Sequence, residues 1–226
     1  MSDKKVILGA PCVRRLDLLE QLYHSAARGT RPPDLFYIVD NGAGVRSVFS
    51  EAACAHSTPK FEVLDHGRNL GVSTAWNIMF NLFPNEHLII SNDDVSFHAN
   101  TIEEMVKAAE ETDAEFIFPA TPTHTTFCVF LLKHSAWQKV GPFDEGFWPA
   151  YFEDVDYWHR MRHHGVKMLE ITTTCYDHVL NGYLKVMTPA ENKQFHQYMQ
   201  NNYRRYVRKW GGGPGKETRT VPKELP

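Results

Sequence analysis

The chain has 226 residues, of which 42% are hydrophobic and 23% charged, with a formal net charge of -3 and a pI near 6.4. That length suits one large α/β domain or two intimate lobes, and the mild acidity excludes a chain built as a general polyanion binder. Cys12, Cys54, Cys128 and Cys175 are scattered without a Cys-x-x-Cys pair, which excludes a zinc-finger or disulfide framework, and no apolar run is long enough for a membrane span or a signal peptide, so a reduced, cytoplasmic protein is expected.

Short apolar runs alternate with amphipathic ones. Val6–Leu8, Leu35–Val39, Phe61–Leu64 and Leu88–Ile90 read as buried strands. Between the first two, Leu16, Leu19, Leu22, Tyr23 and Ala26 recur at helical spacing; between the last two, Val72, Ala75, Met79 and Phe83 do so, with Ser73 as the expected N-cap. This alternation implies a largely parallel sheet covered by helices on both faces. Thr101-Ile102-Glu103-Glu104 reads as a capping box opening a further helix. Strands are expected at Phe116–Phe118, Phe127–Leu132 and Lys167–Ile171, and a helix from Phe152 to His164, stopped by Gly165. Thr188-Pro189-Ala190-Glu191 is a second capping box with proline at the first helical position; its helix should run to Trp210 and stop at Gly211. The polar tail from Gly215 to Pro226 is expected as an arm or a disordered segment.

The chemistry-bearing residues sit at the ends of these elements. Ligands of parallel sheets bind at the carboxyl ends of the strands, where Ala10-Pro11, Asp40-Asn41-Gly42 and Asn92-Asp93-Asp94 fall. Both acidic turns have a bland reading as tight turns, since Asp, Asn and Gly favour them anyway. The run 141–156, GPFDEGFWPAYFEDVD, carries Asp144, Glu145, Glu153, Asp154 and Asp156 among aromatics. Carboxylates this close repel one another, which points to a task involving a proton, a sugar hydroxyl or a metal. Capping of a helix N-terminus accounts for some of them, but five exceed what capping requires. Trp148, Tyr151 and the loop His124-Thr125-Thr126 are candidates for acceptor recognition; Trp158 reads as core. The basic run Tyr203–Lys209 reads as a solvated helix face, with a nucleic-acid patch as the second reading.

The series Asp40, Asn69-Leu70-Gly71 with Ala75 and Asn77, Asn92-Asp93-Asp94, Gly141-x-Phe143-Asp144-Glu145 and Phe152-Glu153-Asp154-Val155-Asp156 resembles family 2 glycosyltransferases of the GT-A fold, in particular the rhamnosyltransferase-like branch. The resemblance runs from about Val6 to Gly182. The ending Lys209-Trp210-Gly211-Gly212 is similar to that of some phage-encoded members, which would place the protein in a host cytoplasm. It implies a catalytic domain over 1–187, with a nucleotide-binding half of about 1–96 and an acceptor-binding half of about 97–187, followed by a C-terminal helix and tail over 188–226. It further implies that Asp40 hydrogen-bonds the nucleotide base and that Pro11 and Val13 line the base pocket. Asn69, Gly71 and Asn77 would face the nucleotide, with Asn92 near the ribose and Asp93 in the same motif. Asp94 and His178 would hold the metal, Mn²⁺ or Mg²⁺. Asp154 would be the catalytic base, with Glu153 beside it. Asn92 stands where the family's motif carries an acid; it can hydrogen-bond a ribose hydroxyl but is a poorer metal ligand.

The expected activity is metal-dependent, inverting sugar transfer from a UDP- or dTDP-linked nucleotide-diphosphate sugar to an acceptor hydroxyl on a glycan or a modified base in DNA. Two rivals stand beside it. A nucleotidyltransferase needs a basic loop after the first strand, for which Arg14-Arg15 is the candidate. A silent nucleotide-sugar-binding module would have no use for Asp94 and Asp154 together.

Overall fold

The structure, a computed structural model, describes residues 3–50, 58–120, 126–179 and 186–224. Cys54, the His124-Thr125 part of the loop expected to meet the acceptor, and Gly182 lie outside them.

Seven strands form one mixed sheet in the order β3-β2-β1-β4-β7-β6-β8. They are β1 (Val6–Cys12), β2 (Leu35–Asp40), β3 (Lys60–Asp65), β4 (His87–Ser91), β6 (Phe116–Pro119), β7 (Val129–Leu132) and β8 (Met168–Ile171). The first four pair in parallel, and β7 runs antiparallel to both of its neighbours. Side chains of a strand alternate between faces, and both faces here are apolar. Leu8, Ala10, Phe36 and Ile38 enter one core cluster; Ile7, Tyr37 and Val39 enter the other.

The first cluster is closed by α1 (Leu16–Ala27) and α3 (Thr101–Glu111) through Leu19, Leu22, Met105 and Val106. The second is closed by α2 (Val72–Leu82), α4 (His134–Val140) and α5 (Glu153–His163) through Trp76, Met79, Phe80, Ala136 and Tyr157. Truncating one such buried Leu or Met to Ala typically costs about 2–5 kcal/mol. A two-stranded ribbon stands apart from the sheet: β5 (Val95–Phe97) pairs antiparallel with β9 (Tyr176–His178), placing Val95 opposite His178.

Two expected caps are not formed. Gly71, at φ 85°, is the N-cap of α2, and the Ser73 hydroxyl is buried without a partner. Thr101 is already helical; its hydroxyl bonds Thr174 Oγ1 and the Cys175 carbonyl, 2.7 Å away, tying α3 to the strand leading into β9. At Thr101 a distant hydrogen bond has replaced the local one. The second capping box is present: Thr188 and Glu191 bond each other's backbone at the start of α6 (Pro189–Trp210), which Gly211 ends at φ 80°. The segment expected as a strand from Phe127 begins instead with a 3-10 turn, Thr126–Cys128, before β7.

The tail is an arm. Thr218 and Arg219 donate backbone N–H to the Trp210 carbonyl, Lys223 donates to that of Lys209, and the Tyr206 hydroxyl bonds Glu217. Phe147, Tyr206 and Trp210 form a third small core under it.

Candidate active site

A cleft of about 860 Å³ opens along the carboxyl ends of β1, β2 and β4. Pro11, Val13, Arg14, Asn41 and Asn69 line one end; Asn92, Asp93, Asp94, Cys128 and His178 line the middle. Trp148, Tyr151, Glu153 and Asp154 line the other end, and α6 closes it with Glu191, Gln194, Phe195 and Tyr198.

The middle is built by the ribbon. Asp94 precedes β5, and the β5–β9 register swings His178 onto it, so that Nε2 lies 3.1 Å from Asp94 Oδ1. The Asp94 hydrogen bond, helped by Cys128, raises the His178 imidazole to about 10. Cys128 Sγ lies 3.8 Å from both ring nitrogens and accepts from Asn92 Nδ2 at 3.3 Å. Cys128 thus faces the cleft rather than only filling the core. Asp93 is walled in except where its edge reaches the cleft. Loss of water pushes its carboxyl up to about 7, against the opposing hydrogen bond from the Cys12 thiol.

The residues fit a divalent ion. One carboxylate oxygen and one imidazole nitrogen, 3.1 Å apart and both bordering the cleft, are spaced as neighbouring ligands of a single ion. Among the described residues no three His, Cys, Asp or Glu side chains converge as a closed cage. An ion held there would keep most of its positions for oxygen ligands from outside the protein and for water, as Mg²⁺ does.

The acidic run divides by role. Asp154 and Glu153 line the cleft, whereas Asp144, Glu145 and Asp156 do not. Asp156 is fully buried and bonds Lys209 at 2.7 Å, Arg160 at 2.9 Å and Trp210 Nε1 at 2.8 Å. Asp144 pairs with Lys209 and Arg205; burial works against it, yet those cations hold its carboxyl below the usual range. Glu145 accepts from Asn77 Nδ2. Asp144 and Asp156 therefore fasten α5, α6 and the 141–147 loop together, and Glu145 ties that loop to α2. The other two are shifted upward. Burial, then the charge of Asp154, raises Glu153 well above its ordinary value, and its Oε2 has no partner. Burial also raises Asp154, opposed by the Val155 N–H at 2.8 Å from Oδ1. Tyr151 and Phe152, just before them, both adopt positive φ, 75° and 76°. Paired left-handed non-glycine residues cost of order 1–3 kcal/mol each, and here the turn they make aims the carboxylates into the cleft.

Other expected positions fall as follows. Asp40 accepts backbone N–H bonds from Gly42, Ala43 and Val45, so both carboxylate oxygens brace their own turn, and it is absent from the cleft lining. Its neighbour Asn41 reaches the cleft instead, accepting from the Leu70 N–H. Asn77 is buried under the 141–147 loop, bonded to Phe143 in both directions. Gly71 sits beneath Trp148, where an added Cβ would come within 2.8 Å of Trp148 Cδ1. Asn69 lines the cleft and accepts from Trp148 Nε1 through its carbonyl. Trp148 and Tyr151 are 42% and 40% exposed and meet Tyr198 and Phe195 of α6 edge-on. Trp158 packs against Phe116, Phe118 and Phe127 and also touches the cleft. Arg14 pairs across the cleft with Glu191, and Arg15 pairs with Asp17, so neither forms a phosphate-gripping loop.

The sequence profile of glycosyl transferase family 2 matches residues 9–181. The chain belongs to that family. No curated protein matches it significantly. Among solved structures, a mannosyltransferase from Pyrobaculum calidifontis in complex with GDP-Man and Mn²⁺ is 14% identical, with a TM-score of 0.69, over 95% of this chain and 67% of that one. TarS 1-349 of S. aureus is 11% identical, with a TM-score of 0.63, over 92% and 74%. GalNAc-T7 with UDP, GalNAc and Mn²⁺ is 14% identical, with a TM-score of 0.68, over 92% and 49%. At such identities the likeness is one of fold, and the fold is GT-A.

This family 2 glycosyltransferase therefore has its two chemical poles in one cleft: a carboxylate–imidazole pair beyond the carboxyl end of the central strand β4, and two desolvated carboxyls at the start of α5. Among the described residues, no helix is long and apolar enough to cross a membrane.

Proposed function

We propose that the enzyme transfers a sugar, with inversion, from a nucleotide-diphosphate sugar to an acceptor hydroxyl, using a divalent ion. The observation carrying this reading is that Asp94–His178 and Asp154–Glu153 border one continuous cleft. The nucleotide lies over Pro11, Val13, Asn41 and Asn69, and Asn92 bonds the ribose. Asp94 and His178 would hold Mn²⁺ or Mg²⁺, which would supply positive charge beside the leaving diphosphate. Asp154 takes the acceptor proton on the opposite face; its raised basicity comes from lost water. Glu153 stands beside it; burial raises its carboxyl as well, and its Oε2 has no partner. Inversion follows because a single displacement needs only one base and no nucleophile on the enzyme.

Trp148 and Tyr151 offer rings for stacking a sugar acceptor. This favours a glycan over DNA, since Arg205 and Lys209 turn inward to Asp144 and, of the run's cationic side chains, only Arg204 and Arg208 are exposed. UDP- and dTDP-linked donors, the rhamnosyltransferase-like branch, phage origin and a cytoplasmic location belong to the same proposal, as does the division into nucleotide and acceptor halves near residue 96.

The test is a thermal-shift panel of UDP, dTDP and GDP and their sugars, with and without Mn²⁺, followed by donor hydrolysis in the responding pair. A ligand at one hundred times its dissociation constant stabilises by about 2.7 kcal/mol. The reading fails if no nucleotide shifts the transition, and its metal part fails if Asp94→Ala responds to Mn²⁺ as fully as the parent.

A further inference from the structure

On the outer face of α5, away from the cleft, His159 and His163 stand one helical turn apart. Their spacing, four residues, puts both rings on the same side of the helix. The two Nε2 atoms lie 3.0 Å apart. Two imidazole nitrogens bound to one ion at ordinary zinc–nitrogen lengths lie roughly 2.9–3.4 Å apart, so the rings already hold the spacing of neighbouring ligands. The Arg219 carbonyl oxygen is 3.5 Å from His159 Nε2 and converges on the same point.

The surroundings suit a ligand histidine. Glu217 Oε1 stands 3.8 Å behind His159, on the Nδ1 side, so Nδ1 is turned to a carboxylate and Nε2 to the pair. A carboxylate behind a ligating ring fixes its orientation and raises its basicity. Burial, against the wall of Trp210 whose ring centroid is 4.4 Å away, lowers the His159 imidazole, favouring the neutral form that binds metal. His163 is exposed, which leaves an open path from solvent. The Arg219 carbonyl does not drift, because the Arg219 N–H and Thr218 N–H are both held by the Trp210 carbonyl.

We propose that His159, His163 and the Arg219 carbonyl form a second metal site, for a transition-metal ion of the zinc class, that fastens the C-terminal arm to α5. The ion replaces the proton now shared by the two rings. Three protein donors and water complete its shell, so the site is an exchangeable one. It is separate from the Asp94–His178 pair and does not depend on the proposed reaction.

The experiment uses the full chain carrying His178→Gln, stripped with chelator, so that neither Asp94 nor Cys128 keeps an imidazole partner in the cleft to compete. Titration calorimetry with Zn²⁺ alone is expected to show one equivalent bound. Adding His159→Gln or His163→Gln should weaken that event at least tenfold. His163 is exposed, so its variant keeps the test valid even if His159→Gln unfolds. In parallel, Zn²⁺ should slow tryptic cleavage at Lys216 and Arg219 in the chain with both histidines, and not in His163→Gln. Undiminished zinc binding by His163→Gln, or no binding by the parent, overturns the site. Lost binding with cleavage rates indifferent to zinc overturns the fastening role.

Discussion

At the scale of single residues, the two carboxyls opening α5 differ in what they can do. Asparagine at position 154 keeps the shape and the Val155 contact but removes the proton acceptor. Asp154→Asn should therefore lower kcat by about 10²–10⁴-fold while donor affinity stays unchanged. Glu153 is the more deeply buried of the two and its Oε2 has no partner, so Glu153→Gln, which keeps its shape, should stay within about tenfold of the parent. Initial rates at saturating donor, with donor titrations beside them, decide; a dead Glu153→Gln with an active Asp154→Asn would exchange the two roles. His178 gives a pH prediction. Its folded value is raised above the unfolded one, to about 10, chiefly by Asp94. Stability from that pair is thus fully present below about pH 6.5, the unfolded value, and is lost as pH climbs through 10. The melting temperature of metal-free protein should fall over that window, and His178→Gln should flatten the decline. Because a metal displaces the shared proton, Mn²⁺ binding should strengthen over the same rise in pH.

At the scale of elements, α6 is held by charges buried against α5. Asp156→Ala would leave Lys209 and Arg160 without their buried partner, and removing one side of such a network costs about 3–5 kcal/mol. Urea denaturation should show that loss; a change below about 1 kcal/mol would mean that the network relaxes without it. The same network explains what the sequence could and could not convey. Periodicity placed the sheet strands β1 to β4 and the helices α1, α2 and α6, since burial on one or both faces writes itself into the spacing of Leu, Ile, Val and Phe. Three-residue strands such as β5 and β9 are too short to show a period, and α4, seven residues, was missed for the same reason. Within the site, Asp94, His178, Glu153 and Asp154 stood out through their motif, and the structure sets all four around the cleft. Glu191 carried no signal beyond its capping box, because a polar residue facing a cleft and one facing water look alike in one dimension. Asp144 and Asp156 misled for the opposite reason: their partners Arg205 and Lys209 lie more than fifty residues downstream. Asn41 was findable, since a carboxylate that caps its own turn, as Asp40 does, hands the outward position to its neighbour.

At the scale of the whole molecule, α6 is a wall of the cleft and not an appendage. Phe195 and Tyr198 meet Tyr151 and Trp148, and Phe147 is buried only with Tyr206 and Trp210 over it. A chain ending at 187 should lose nucleotide-dependent stabilisation and cooperative unfolding together, as read by thermal denaturation with and without the responding nucleotide. Retention of a sharp transition would show that 1–187 folds as an independent unit.

The β5–β9 ribbon sets a timetable. Its strands are separated by some eighty residues of chain, and Asp94 finds His178 only once both exist. Chains emerge from the ribosome N-terminus first, and their early portions begin folding there. The strands β1, β2 and β4 are thus made while the nascent polypeptide still lacks its imidazole, and the carboxyls of α5 appear before the final wall. A partly synthesised copy therefore lacks the Asp94–His178 pair and the α6 wall alike, and the cleft becomes whole only when the last helix has been made.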